Sequence, residues 1–322
     1  MTLSAWHHLY ATCPRAQRLQ PLQHPLLAQH QLTLWVKRDD LIHPTISGNK
    51  WRKLKYILRN ALLEGDRGIL SFGGAYSNHL HALAAAGHYL GLPTVGIVRG
   101  EASSADNPTL RDAQAWGMTL VFVDRQQYRR RQDTDWLLEL AQRYPKYRII
   151  PEGGSCADAL PGVAELWQEI EQELSQAPQQ SFNQQPLTID EVILPVASGG
   201  TLAGLLSARP SHTRIKGYAV LKGAQWLADE ICRLHPNAAD DPGWQLSLEH
   251  HGGGYAKCSA ADNADINLLA GQLVLPLEPI YSGKTLLGLF RDIAAGAYPA
   301  GSKLVFLHTG GLQGARGSLR LR

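Results

Sequence analysis

Short apolar runs, several of them followed by glycine, alternate with amphipathic segments along most of this 322-residue chain. Such runs are typical of strands buried on both faces, and helical segments between them build a parallel sheet. We predict strands at 32–37, 68–72, 94–98, 119–123, 191–196, 216–220 and 303–307. We predict helices at 51–64, 79–90, 107–116, 134–143, 160–174, 200–208 and 284–295. The pattern predicts an α/β protein in which helices flank a parallel sheet.

The composition is that of an ordinary globular protein. Hydrophobic residues make up 44% of the chain and the formal net charge is only +3, which indicates neither a disordered chain nor a strongly basic one. Residues 129–131 are three consecutive arginines, but no aromatic residues are interleaved with them. We interpret them as the solvated start of a helix and expect no nucleic-acid partner.

Location and metal binding are constrained by what the sequence lacks. No apolar run approaches the roughly 18 residues of a membrane span, and residues 1–10 do not resemble a signal peptide. We therefore expect a cytoplasmic enzyme with no membrane partner. The four scattered cysteines have no spacing typical of a zinc site or a disulfide framework. His79 and His81 lie two apart on a predicted helix and do not face one another, so we expect no metal site.

The segment 47–53, Ser-Gly-Asn-Lys-Trp-Arg-Lys, places a lysine at the start of a predicted helix. Apolar residues recur at helical spacing from Trp51 onward, so Lys50 lies at the helix start and Lys53 shares its face. Such a lysine can condense with an aldehyde as a Schiff base, provided burial and a neighbouring cation lower its pKa. Pyridoxal 5'-phosphate (PLP) is the aldehyde that this chemistry indicates. In the alternative, the basic residues of 50–55 are only the solvated face of an amphipathic helix.

A second candidate site is the segment 71–79, where a strand ends in glycines and a helix begins at Ser77 and Asn78. The unpaired backbone N–H groups and the positive end of the helix dipole suit a carboxylate. Asn78 can also donate a hydrogen bond to the phenolic oxygen of a pyridoxal ring. The alternative is that Ser77 or Asn78 simply caps the helix.

A third candidate site, 195–204, follows an apolar strand and opens another helix. Its glycines let the backbone approach an anion closely, and the hydroxyls of Ser198 and Thr201 can add donors. The segment therefore has the character of a phosphate-binding loop, although it contains neither GxGxxG nor a P-loop. An ordinary strand-to-helix turn is the alternative.

Two late segments, 279–284 and 308–311, also follow strand-like runs. Ligands gather at the carboxyl ends of the strands in parallel α/β sheets, so these loops are expected at the same crevice. Tyr281 is placed to stack on a cofactor ring, and Thr309 to hydrogen-bond its pyridine nitrogen. Packing and turn formation are the alternatives for both.

In this order, segments 48–53, 74–79, 198–204, 281–284 and 308–311 resemble the D-cysteine desulfhydrase and 1-aminocyclopropane-1-carboxylate (ACC) deaminase family. That family belongs to the tryptophan-synthase-β-like, fold type II, group of PLP enzymes. The resemblance extends from about residue 34 to residue 311. It implies an α/β fold with two open, twisted and mostly parallel sheets flanked by helices. It also implies a PLP-dependent lyase with a small amino-acid substrate, and we expect a homodimer.

The resemblance also implies roles for particular residues. Lys50 would carry the Schiff base, Lys53 would lie near the phosphate and Asn78 on the ring oxygen. Ser77, Asn78 and His79 would surround the substrate carboxylate. The phosphate would be held by Ser198, Gly199, Gly200, Thr201, Leu202 and Gly204. Tyr281 would lie against the ring, Thr309 at its nitrogen, and Tyr255 at the position of a second active-site tyrosine. The implied catalytic residues are Lys50, Ser77, Tyr255 and Tyr281.

Two positions separate the members that this chain resembles. ACC deaminases carry a glutamate after the tyrosine matched by Tyr281 and usually a leucine where Thr309 stands, whereas desulfhydrase-like members carry hydroxyl residues. This chain has Ser282, a predicted substrate-binding residue, and Thr309. A neutral partner for the pyridine nitrogen suffices when a lysine removes an α-proton and a good leaving group departs.

The predicted reaction is therefore α,β-elimination from a small amino acid, with D-cysteine giving pyruvate, ammonia and hydrogen sulfide. The alternatives are ACC deamination, a lyase or racemase for another D- or L-amino acid, and a non-catalytic PLP carrier. We expect residues 48–150 to form a small α/β domain inserted into a large one formed by 1–47 and 151–322. PLP would lie in the crevice between the two.

Overall fold

The computed structural model describes residues 3–13, 19–46, 48–176, 188–314 and 316. The helices are α1 (Leu3–Thr12), α2 (Pro25–Gln29), α3 (Asn49–Glu64), α4 (Asn78–Leu90), α5 (Pro108–Ala115), α6 (Arg125–Arg129), α7 (Thr134–Arg143), α8 (Leu160–Ala164), α9 (Leu166–Gln176), α10 (Gly200–Leu206), α11 (Leu227–Leu234), α12 (Ala260–Leu273) and α13 (Ser282–Ala294). The strands are β1 (Leu19–Leu22), β2 (Thr33–Lys37), β3 (Gly68–Gly74), β4 (Thr94–Arg99), β5 (Thr119–Val123), β6 (Tyr147–Ile149), β7 (Glu191–Val196), β8 (Arg214–Ala219), β9 (Trp244–Ser247) and β10 (Lys303–Leu307).

The strands form two separate sheets. The large sheet has the order β1-β2-β10-β7-β8-β9, and the small sheet has the order β5-β4-β3-β6. Every pairing is parallel except that of β1 with β2. The predicted fold class is therefore confirmed: two mostly parallel sheets carry the helices.

Continuous apolar runs explain which strands were predictable. All six residues of β7 are buried, as are the first six of β3, and such strands lie inside their sheets with helices on both faces. All seven predicted strands are present, with bounds shifted by at most a few residues. The prediction missed β1, β6 and β9, which are short strands at sheet edges with mixed burial.

Three helix predictions need correction. The predicted helix 160–174 is two helices, α8 and α9, which meet at Glu165. The helix predicted from residue 284 begins at Ser282. The arginines at 129–131 do not start a helix, because they lie at and beyond the end of α6.

Helix α3 packs against helices that flank both sheets. It contacts α4, which covers the small sheet, and α8 and α10, which cover the large one. The strands within 68–149 all belong to the small sheet and the remaining strands to the large one. The exact domain boundaries at residues 47/48 and 150/151 stay a prediction.

Within the described part of the chain, no helix combines the length and the apolar character needed to cross a bilayer.

Candidate active site

A cavity of about 420 Å³ lies where the carboxyl ends of strands from both sheets face one another. Segments that follow β3, β6, β7 and β10 all contribute to its wall, together with the last residue of β4 and the start of α3. Its volume is in the range of roughly 300–1,000 Å³ found for small-molecule sites. The carboxyl edge of a parallel sheet is where such sites are expected, because the loops that leave the strands are free to vary there.

Lys50 lines this cavity from the first turn of α3. The preceding Gly48 has φ +65°, and a Cβ there would collide with the carbonyl group of Thr309, so glycine lets the two segments touch. The backbone N–H of Asn49 donates to that carbonyl oxygen at 3.2 Å, which ties the start of α3 to the end of β10. Burial lowers the pKa of the Lys50 amine to about 8, against the opposing charge of Glu152.

Lys53 lies one turn further along α3, behind the cavity wall. Its Nζ donates to the carbonyl oxygen of Gly153 at 3.0 Å and to Ser155 Oγ at 2.9 Å, and it approaches Ser198 Oγ at 3.3 Å. Burial, and then the charge of Lys50, lowers its pKa well below the ordinary value. As whole residues, Arg52, Lys53 and Lys55 are at most 3% exposed. The alternative of a solvated basic helix face is therefore wrong.

The N-terminus of α4 presents Ser77, Asn78 and His79 to the cavity. Ser77 Oγ accepts the backbone N–H of Leu80 at 3.2 Å, so this serine caps the helix and also lines the site. The amide oxygen of Asn78 accepts a hydrogen bond from Gln313. The capping role and the ligand-binding role are thus compatible, because a hydroxyl oxygen that accepts the Leu80 N–H still has its own proton to donate.

His79 is buried, and its Nε2 lies 2.8 Å from Ser71 Oγ. Its Nδ1 has no hydrogen-bond partner among the described residues. Burial, and then the charges of Lys50 and Lys53, lower its pKa well below the ordinary range, so the imidazole is neutral. A buried polar nitrogen without a partner in a cavity wall is the kind of group that a bound ligand satisfies.

The loop between β7 and α10 carries the predicted phosphate-binding residues. Gly199 has φ +71°, and a Cβ at Gly200 would lie 2.6 Å from Ser155 Oγ and 3.0 Å from Lys53 Nζ. Asn49 Nδ2 donates to Thr201 Oγ1 at 3.0 Å, which joins this loop to the start of α3. An amine, hydroxyl groups and close glycine backbone therefore converge on one region.

Tyr281, Tyr255 and Thr309 line the remaining wall. The Tyr281 hydroxyl donates to that of Tyr255 at 3.2 Å, and their rings meet edge to face with centroids 6.2 Å apart. Burial raises the pKa of both phenols, so both hydroxyls keep their protons. Tyr255, which the resemblance implies as a second active-site tyrosine, thus lies in contact with Tyr281.

Two predicted site residues lie away from the cavity. Gly204 is in α10 against Val163, where a Cβ would come within 2.5 Å of the valine Cβ, so its role is close helix packing. Ser282 is fully buried and its hydroxyl donates to Glu278 Oε1 at 3.0 Å. Its hydroxyl is therefore engaged by Glu278, and Ser282 is not among the residues that line the cavity. Two further predicted site residues, Lys53 and Gly200, do not line the cavity but lie directly behind its wall.

Sequence reasoning missed several residues of the wall. Asn49 was read only as part of a helix start, and segment 151–155 was not considered although its Glu-Gly-Gly-Ser resembles the other strand-to-loop segments. The short strand β6 before it gave too weak an apolar signal. Arg99 and Arg131 also line the cavity, at the end of β4 and just after α6.

The sequence profile of the family described as "Pyridoxal-phosphate dependent enzyme" matches residues 16–310. The chain belongs to this family of pyridoxal-phosphate-dependent enzymes. Its cofactor is accordingly PLP, as the lysine at the start of α3 predicted.

Relatives of this PLP enzyme agree with the resemblance seen in its motifs. It is 29% identical to the mitochondrial bifunctional D-cysteine desulfhydrase/ACC deaminase of Arabidopsis thaliana, over 87% of this chain and 73% of the relative. It is 30% identical to a putative ACC deaminase of Pyrococcus furiosus, over 87% and 85%. The crystal structure of an ACC deaminase homologue superposes with a TM-score of 0.77, covering 100% and 99% at 24% identity, which shows the shared fold. The predicted family is therefore confirmed.

The residues present fit this cofactor. Lys50 offers an amine of lowered pKa, and Lys53 with Ser198 and the Gly200 backbone offers an anion site that a side chain at residue 200 would fill. The orphaned Nδ1 of His79 supplies a further polar group. Among the described residues, no group of three or more His, Cys, Asp or Glu side chains is arranged to hold a metal ion.

Proposed function

We propose that this PLP enzyme is a deaminating lyase that catalyses α,β-elimination from a small amino acid, with D-cysteine as the leading substrate. The observation that carries the proposal is that the Lys50 amine, whose pKa burial lowers to about 8, lines the same cavity as the N-terminus of α4. A carrier of PLP needs the first of these groups but has no use for a carboxylate site. The names of the Arabidopsis and Pyrococcus relatives support the same class of reaction.

The first task of the site is to bind and orient an amino acid. Its carboxylate would lie at the first turn of α4, where unpaired backbone N–H groups and the helix dipole favour negative charge. The Ser77 hydroxyl and the Asn78 amide stand at the same turn. When bound, PLP supplies an aldehyde for Schiff-base formation and a ring that accepts electron density from the α-carbon. Lys53 and the 198–201 loop would hold its phosphate.

Proton transfer is assigned to Lys50. Burial lowers the pKa of its amine to about 8, so a substantial fraction is neutral near pH 8 and can accept the α-proton at Nζ. Tyr281 and Tyr255 share a hydrogen bond and keep their protons, because burial raises the pKa of both phenols. One of these hydroxyls is the donor that can protonate a departing thiolate.

A second candidate reaction is ACC deamination, which the names of both relatives include. ACC has no α-hydrogen, so Lys50 cannot begin its ring opening by α-proton removal. Thr309 offers the ring nitrogen a neutral hydroxyl rather than a carboxylate. These two features favour elimination from a substrate with an acidic α-hydrogen.

The test is keto-acid release by the purified holoenzyme from D-cysteine, L-cysteine, β-chloro-D-alanine and ACC. We expect release from D-cysteine or β-chloro-D-alanine at a kcat/KM well above that for ACC. Turnover of ACC with none from the β-substituted alanines would establish the second reaction instead. Holoenzyme that releases no keto acid from any of the four would support a carrier.

The proposal includes a cytoplasmic homodimer without nucleic-acid partners. Light scattering on the purified holoenzyme gives the mass directly, and a mass of 35.3 kDa would show a monomer. Fractionation of the native host checks the location.

A further inference from the structure

Arg99 is a cavity-lining cation that the proposed reaction does not use. It is the last residue of β4, a central strand of the small sheet, and its side chain is exposed at the cavity mouth. Its Nη2 lies 3.6 Å from the point that a Cβ on Gly74 would occupy, beside the loop that leads into α4. No carboxylate among the described residues forms an ion pair with it.

Arg131 reaches the same place from another element. Its guanidinium carbon lies 5.1 Å from the ring centroid of Tyr128, and that of Arg99 lies 5.5 Å from the same centroid. Tyr128 is only 2% exposed, so it is a fixed platform on which both guanidinium groups rest. Two arginines from separate elements, both in the cavity wall, thereby contact one buried ring.

The carboxylates of the cavity wall neutralise Arg131 but leave Arg99 unpaired among the described residues. Glu152 pairs with Arg131 at 2.8 Å, and Glu230 pairs with Arg233 at 2.7 Å. Arg99 therefore stays available to a ligand, while the first turn of α4 already provides the donors for an α-carboxylate. A guanidinium group offers a planar set of N–H donors that suits carboxylate, sulfate and phosphate groups.

We propose that Arg99, with Arg131 beside it, recognises a second anionic group on the substrate. The substrate class is then α-amino acids with a negatively charged β-substituent, and this assignment rests on the proposed elimination. The fixed positive charge would stabilise the negative charge that grows on the leaving group. The sulfur of D-cysteine becomes negatively charged only as it departs. An anionic substituent is charged in the free substrate as well, so its charge also contributes to binding.

The reaction balances for serine O-sulfate. The α-proton passes to Lys50, the bond between the β-carbon and oxygen breaks, and its electron pair leaves with sulfate. Hydrolysis of the remaining three-carbon product consumes one water and gives pyruvate and ammonium, with one proton released overall. No oxidant or reductant is required.

Binding is tested with aspartate and asparagine, which are nearly isosteric and have no leaving group on the β-carbon. Calorimetry on the holoenzyme with each enantiomer should show aspartate binding at least about tenfold tighter, equivalent to about 1.4 kcal/mol. Arg99→Gln should abolish that preference and Arg99→Lys should keep part of it. Arg129→Gln removes the same charge from an exposed residue of α6 that does not line the cavity, so it should leave the preference intact.

Equal affinity of the wild-type protein for aspartate and asparagine would overturn the inference. An equal loss of affinity for both in Arg99→Gln would also overturn it, because Arg99 would then serve the α-carboxylate common to both.

Kinetics separate this inference from the proposed function. We expect serine O-sulfate to exceed β-chloroalanine in kcat/KM, and Arg99→Gln to lower the first at least about tenfold more than the second. Turnover of β-chloroalanine without any advantage for serine O-sulfate contradicts the anion site alone. Absence of pyruvate from both contradicts the elimination, and the aspartate and asparagine affinities then still decide whether Arg99 recognises an anion.

Discussion

Lys50 and Lys53 lie one turn apart on α3, and burial lowers the pKa of both amines. The two amines nevertheless have different surroundings. Lys50 faces the open cavity, whereas the Lys53 amine already donates to Gly153 and Ser155. These surroundings support the proposal that Lys50 is the nucleophile and that Lys53 contacts the phosphate.

We predict that the rate at which the apoprotein forms its Schiff base with PLP rises about tenfold per pH unit below pH 8. It should level off above pH 8, because only the neutral amine of Lys50 is a nucleophile. Stopped-flow absorbance measures this rate. Borohydride should fix no cofactor in Lys50→Ala, whereas Lys53→Ala should still be labelled, with weaker PLP affinity. Stoichiometric labelling of Lys50→Ala would move the Schiff base to another lysine.

Glu278 is a fully buried carboxylate in the segment just before α13. It accepts the backbone N–H groups of Ile280, Tyr281 and Ser282 at 2.6 to 2.9 Å. Burial nevertheless raises its pKa to about 7, from an ordinary value of 4.5. Its hydrogen bonds fix the backbone that carries Tyr281, so the carboxylate positions an active-site side chain.

Because the folded state holds the Glu278 proton more tightly than the unfolded state, it binds more protons between pH 4.5 and pH 7. The free energy of unfolding contributed by this group therefore falls as pH rises through that window, by about 3 kcal/mol in total. Glu278→Gln should remove this slope while lowering stability at acidic pH through the lost acceptor. Urea unfolding at a series of pH values measures both. Identical pH slopes in the two proteins would contradict the raised pKa.

At the scale of elements, the decisive contact is between the 198–201 loop and the start of α3. Gly200 leaves room there for Lys53 Nζ and Ser155 Oγ, and Asn49 donates to Thr201 across the same gap. A strand-to-helix turn with no such role would tolerate a methyl group.

Gly200→Ala should weaken PLP affinity at least about tenfold, because the added Cβ would lie 2.6 Å from Ser155 Oγ and 3.0 Å from Lys53 Nζ. Equilibrium titration of the apoprotein with PLP measures the change. Gly271→Ala is the matched control, since a Cβ there meets nothing within 4 Å and the residue lies in helix α12. The control should keep its PLP affinity and gain about 0.5–1 kcal/mol of stability. Unchanged affinity in a folded Gly200→Ala protein would make the loop an ordinary turn.

The strands and helices that the sequence predicted are those whose own residues show a clear apolar or amphipathic pattern. Strands β3 and β7 are apolar on both faces, and α3 is amphipathic, so local pattern is enough. Arg99 and Ser155 reach the cavity only because β4 and β6 lie beside β3 in the small sheet. Ser282 is the reverse case, a residue that the sequence placed at the substrate. Its neighbour Tyr281 faces the cavity, but the helical turn directs the Ser282 hydroxyl to Glu278. Such placements depend on tertiary packing, which a single sequence does not display.

At the scale of the whole molecule, Arg52 joins three parts of the chain. Its guanidinium group donates to Asp39 at 2.7 Å and to Glu169 at 2.9 and 2.8 Å, and the side chain is 2% exposed. Asp39 follows β2 of the large sheet, Glu169 belongs to α9, and Arg52 itself lies on α3. This cluster fixes the helix that carries Lys50 onto the large-sheet side of the molecule.

Arg52→Ala should lower the free energy of unfolding by about 3–5 kcal/mol, because it leaves buried Asp39 without its cation. Arg59→Ala, an exposed arginine on the same helix, should cost less than about 1 kcal/mol. Urea denaturation of the holoprotein and apoprotein measures both variants. Similar losses in the two variants would show that the buried cluster adds nothing beyond an exposed cation.

Strand β10 lies between β2 and β7 in the large sheet, although residues 303–307 come last among the strands. During translation, β2 and β7 therefore emerge long before the strand that joins them. The four strands of the small sheet are all contained within 68–149 and can pair earlier. The Thr309 carbonyl that anchors Asn49 arrives after β10 as well. A nascent chain would thus complete its cofactor site only after residues 303–309 have emerged, so a ribosome-bound chain arrested before residue 303 should not retain PLP.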